Sequence, residues 1–129
     1  MNPGARCLAA LSLLLLAGGC GGTGGTVRSQ EHLFTFYTQP RAISPGPVVV
    51  GVRIQDRDYR ILTQLQPRLA ILGPGLQGTA QEMSVGPGRD FRARVIFPLA
   101  GRYELQVTAV TAKGTTLQAE YALKVSNPR

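Results

Sequence analysis

The sequence predicts an all-β chain, an antiparallel two-sheet β-sandwich of about seven strands. Three observations carry this. Seven short segments that alternate apolar and polar residues follow one another through residues 31–129. Turn signals separate most of them, among them Gly73-Pro74-Gly75 and Gly86-Pro87-Gly88. In residues 98–107 a Pro-and-Gly corner opens a strict alternation: Tyr103, Leu105 and Val107 point one way, Arg102, Glu104 and Gln106 the other.

Residues 1–19 lie outside the expected domain. Arg6 supplies a positive start, an apolar run follows with four leucines from Leu13, and small residues close it. This is the pattern of a secretory signal. The run is shorter than the roughly 20 residues a membrane span needs. Ala17-Gly18-Gly19-Cys20 resembles the lipobox of bacterial lipoproteins, which implies that Cys20 is acylated and becomes the mature N-terminus. Cleavage by ordinary signal peptidase at the same small residues is the alternative, and would leave a soluble exported chain with a free thiol. Cys7 departs with the signal in either case, so the mature chain forms no internal disulfide. Residues 20–30 are expected to be the anchor cysteine and a flexible glycine-rich tether.

The sandwich is expected over residues 31–129. The first strand, 32–38, is rich in aromatic residues and ends before Pro40. The second, 48–55, sets Val48, Val50, Val52 and Ile54 on one face and Arg53 and Gln55 on the other. The third is 68–72, and a weaker fourth is 80–85. The fifth, 91–97, turns Phe91, Ala93, Val95 and Phe97 inward and Arg92 and Arg94 outward. The sixth is 102–110, and a turn at 112–115 leads into the seventh, 117–125. There Leu117, Ala119, Tyr121, Leu123 and Val125 share a face. Residues 56–66 are expected to form a helical turn or a loop over the sandwich edge through Tyr59, Ile61, Leu62 and Leu65.

Gly101-Arg102-Tyr103 resembles the tyrosine corner of immunoglobulin-like sandwiches, in which the phenol ties the incoming loop to the strand. The order of segments from Val48 to Val125 is similar to that of the YtkA-like and FixH-like group of exported immunoglobulin-like domains. The resemblance runs through Arg68-Leu69-Ala70-Ile71-Leu72, Met83, the segment from Phe91 to Phe97, the corner at Tyr103 and a final hairpin. It implies a small membrane-attached or periplasmic domain. For some members it also implies copper handling or assembly of membrane complexes.

The residues themselves argue against catalysis. The chain has one histidine and seven scattered acids. It has no nucleophile elbow and no paired carboxylates. The proline-bearing glycine triplets are rigid turns with no helix behind them to cradle phosphate. No cofactor is expected. Copper(I) would take thioether and imidazole donors, and the mature chain offers only His32 and Met83. That pair makes a poor site, and no metal ligand set is expected. Charge is more informative. Without Arg6 the chain keeps 13 basic against seven acidic residues. If the second and fifth strands pair, Arg53, Arg92 and Arg94 share one outer face, which could seat an anionic partner or be merely solvated.

The expected function is therefore non-catalytic binding or assembly by a lipid-anchored envelope protein. Its expected place is the cell membrane or outer membrane, facing the periplasm or exterior. The expected partners are the membrane, through the lipid, and an envelope protein or anionic envelope component, not nucleic acid. A periplasmic copper-handling accessory is the alternative.

Overall fold

The computed structural model describes residues 24–127. Ten antiparallel strands form two sheets: β1 Gly24–Ser29, β2 His32–Gln39, β3 Gly46–Gln55, β4 Arg68–Gly73, β5 Leu76–Gln77, β6 Gln81–Glu82, β7 Ser84–Val85, β8 Phe91–Phe97, β9 Gly101–Val110 and β10 Thr116–Val125. The first sheet runs β1-β2-β3-β8-β7, and the second runs β10-β9-β4-β5 with β6 added beside β4. From β2 onward this is immunoglobulin-like topology: the first sheet holds the A-B-E-D set and the second the C-F-G set.

Period-2 alternation places the core. In β3, Val48, Val50, Val52 and Ile54 are buried while Arg53 is exposed, and in β8 Phe91, Ala93, Val95 and Phe97 are buried. Leu69 and Ile71 of β4, Leu105 and Val107 of β9 and Leu117 and Leu123 of β10 close the core from the other sheet. Paired strands follow the alternation in register, Val50 opposite Ala93 and Val107 opposite Ala119, so apolar rows meet apolar rows.

Tyr103 forms the expected corner. Its ring is 2% exposed and meets Phe97 edge-on at 4.8 Å between centroids. Its hydroxyl lies 2.7 Å from the Leu99 carbonyl oxygen and 2.8 Å from that of Pro74. One phenolic proton thus serves two loops. Gly73 makes room for the ring: a Cβ there would stand 2.3 Å from Tyr103 Cδ2.

Two expectations need correction. Gly24–Ser29, expected as tether, is a strand in register with β2, Val27 opposite Phe34. Its Ser29 Oγ donates to the Gln118 carbonyl at 2.5 Å, joining the edges of the two sheets. Residues 80–85 are two short strands in different sheets, with Met83 buried at the switch between them. Residues 56–66 form the loop of the two expected alternatives, with Tyr59 exposed: Ile61 bridges to Gln55, and the Leu62 amide donates to the Ile54 carbonyl at 2.8 Å. Leu62 and Leu65 there pack against the core as expected.

Candidate functional site

β3 and β8 pair with Gly51 opposite Arg92 and Val49 opposite Arg94, while Arg53 faces Thr35 of β2. Pleating then puts Arg53, Arg92 and Arg94 on one outer face, the shared face that the alternation implies. The three are not equivalent. Arg53 and Arg94 are exposed. Arg92 is half-buried, and its Nε lies 3.4 Å from Asp90 Oδ1.

Asp90 is 6% exposed. Tyr37, its ring over Gly51, donates its phenolic proton to Asp90 Oδ2. Burial and then the neighbouring carboxylate raise the Tyr37 pKa above its ordinary value. Arg92 therefore belongs to an internal Tyr37–Asp90–Arg92 cluster, and its charge is partly spent on Asp90.

A fourth cation joins this face. Arg28 on β1 is exposed and lies opposite Leu33, itself paired with Gln55. Sequence reasoning missed it because the surrounding glycines concealed the strand. The face thus presents Arg28, Arg53, Arg92 and Arg94 against Asp90 alone. The outer face of the second sheet is balanced: Arg68, Arg102 and Lys124 accompany Glu82, Glu104 and Glu120.

An open groove of about 510 Å³ lies at one end of the sandwich, lined in part by His32, Asp56, Leu62, Leu65 and Lys113. His32 Nδ1 is 3.0 Å from the Gln30 carbonyl oxygen. Asp56 Oδ1 accepts the Arg60 and Asp58 amides at 3.0 and 2.9 Å. Those backbone bonds, with the Arg60 and His32 charges behind them, lower its pKa. The structure does not bring His32 and Met83 together: His32 opens β2, while Met83 lies beside β7 at the far edge of that sheet. Among the described residues no three of His, Cys, Asp and Glu form a metal-binding group. Cys20 lies outside the described residues.

Fold and surface together define an immunoglobulin-like β-sandwich with one cationic outer face. No protein-family model matches the sequence, and no curated protein does. Among solved structures the chain is similar to the PmoD soluble domain from Methylocystis sp. ATCC 49242 (Rockwell). The TM-score is 0.52 at 14% identity, covering 78% of this chain and 96% of that one. At that identity the likeness shows the shared fold.

Proposed function

We propose that this chain is a lipid-anchored envelope protein whose sandwich binds an anionic partner without catalysis. The observation that carries the reading is the difference between the two outer faces, one cationic and one balanced. Solvation alone gives no reason to segregate charge in this way, whereas a partner with acidic groups does. The lipobox-like Ala17-Gly18-Gly19-Cys20 supports the anchor, and the resemblance to YtkA-like and FixH-like domains supports the exported setting.

The test is purification of the intact protein from membranes and identification of what accompanies it. Arg53→Glu with Arg94→Glu is expected to release that partner and to abolish the salt sensitivity of its binding. Retention of the partner by the double variant would return this face to mere solvation.

Copper handling is the second reading. It rests on the same resemblance and on one imidazole, His32, which shares the groove with Asp56. Calorimetric titration is expected to show no copper site tighter than about micromolar, since the groove sets one imidazole beside one carboxylate and the Met83 thioether lies at the far edge of the sheet. Tight stoichiometric binding lost in His32→Ala would make copper handling the better reading.

A further inference from the structure

The two ends of the sandwich differ in charge. At the groove end the signs are mixed and paired: Arg57 reaches Glu31 at 3.3 Å, and Arg60 reaches Asp58 at 3.8 Å. The other end gathers the loops before β3, after β4 and before β9. The Tyr103 hydroxyl binds two of these together, and the Ser126 amide donates to the Ile43 carbonyl at 3.0 Å. This end carries Arg41, Arg94, Arg102 and Lys124, and no acid occurs in residues 39–46, 94–103 or 122–127. Arg102 and Lys124 lie directly opposite each other on the outer face, a like-charge pair that is unfavourable unless an anion sits nearby. Leu99 and Ile96 stand among these cations, 55% and 66% exposed.

The described chain begins midway along the first sheet, and β1 runs from there toward the groove end. Gly24 pairs with Tyr37, which lies in the row of Gly51 and Arg92. Ile96 is four residues further along β8, about 13 Å at the rise of a strand. Cys20 precedes Gly24 by four residues, which span at most about 14 Å however they are arranged. Within that reach an acylated Cys20 can come level with Ile96 but not with Ser29 at the groove end, five residues and about 17 Å from Gly24, so of the two ends the lipid can hold only this one at the headgroups.

The geometry points to a membrane-docking surface at this end, resting on the lipid-anchor reading above. Leu99 and Ile96 enter the interface of an anionic bilayer, and Arg41, Arg102 and Lys124 meet its phosphates. A basic patch beside an acyl anchor is the usual second signal for stable attachment. The docked domain stands on its end and presents the groove away from the membrane. The flat arginine face then remains open to the side.

The chain has no tryptophan, so a single introduced one reports its own site. Leu99→Trp in the acylated protein, reconstituted into vesicles of phosphatidylglycerol and phosphatidylcholine, is expected to shift its emission to the blue and to be quenched by brominated lipid. Arg53→Trp, on the flat face, is expected to stay in water. The purified Cys20→Ser chain is expected to partition onto the same vesicles in a salt-sensitive way. Arg41→Ala with Lys124→Ala should lower that partitioning about 30-fold, at about fivefold for each cation near an anionic surface. The mass of the mature N-terminus judges the anchor separately. Acylated protein whose Leu99→Trp emission ignores the vesicles would overturn the docking surface and leave the anchor standing. A shift at Arg53→Trp in place of Leu99→Trp would also overturn it, because the domain would then lie on its face.

Discussion

Tyr103 is the side chain on which two loops depend. Its phenolic proton lies between the Leu99 and Pro74 carbonyls, at 2.7 and 2.8 Å, with the ring buried below. Tyr103→Phe leaves two part-buried carbonyl oxygens without their donor and is expected to cost about 1–3 kcal/mol. Tyr103→Ala adds a cavity between Gly73 and Phe97 and should cost about 3–5 kcal/mol. Arg102→Ala, outward and exposed beside it, should stay within about 0.5 kcal/mol. Urea denaturation of the three variants checks the order; a Tyr103→Phe midpoint equal to the parent's would mean that the hydroxyl holds neither loop. Tyr37 offers a second check, in alkali. Its folded pKa is raised, so the neutral phenol contributes stability that is complete below the unfolded value near 10. That contribution is lost as pH rises through the folded value, when a phenolate would face the Asp90 carboxylate. Thermal melts across the alkaline range should fall less steeply in Tyr37→Phe than in the parent.

At the scale of elements, β1 is where glycine has two meanings. In a run of glycines, Gly25 reads as slack chain, yet its missing Cβ is where the Tyr121 ring passes: a Cβ would come within 2.9 Å of Cε1. That ring also stacks on Phe36 at 5.1 Å, so it cannot retreat inward without loosening β2. Gly25→Val, favourable for a strand in isolation, is therefore expected to destabilise the domain by about 1–3 kcal/mol. It should also speed amide exchange in residues 24–29. Fast exchange there in the parent protein would restore the tether reading. The long strands were legible because one face of each is buried and the other wet, as in β3 and β8. β1 was not, because Val27 is its sole large apolar residue. β6 and β7 look like one strand in the sequence because Gln81 to Val85 change sheets at Met83, a tertiary event that leaves no local period. The arginine face is legible from the alternation once the second and fifth strands are taken to pair, as β3 and β8 do. The tie between Arg92 and Asp90 is not, because it depends on Tyr37 arriving from another strand.

At the scale of the whole molecule, that tie separates the arginines by what their reversal should do. Arg53→Glu and Arg94→Glu alter exposed positions and should leave thermal stability within about 0.5 kcal/mol. Arg92→Glu sets a second carboxylate beside the buried Asp90 and should cost about 1–3 kcal/mol. Partner binding is therefore read in the double variant, in which folding and recognition do not move together. The anchor can be separated from the fold for a related reason. The described residues begin at Gly24, and the core they form runs from Phe34 to Val125 with Val27 packed against it. Cys20→Ser is then expected to keep the parent's melting temperature while leaving the membrane fraction in a high-salt wash that does not release the parent. Mass spectrometry of the parent should find acyl chains on an N-terminal Cys20. An unmodified cysteine, or parent protein released by the same wash, would show that the small residues before Cys20 serve ordinary signal cleavage. The cationic end would then have to hold the membrane by itself, as a reversible and salt-sensitive contact.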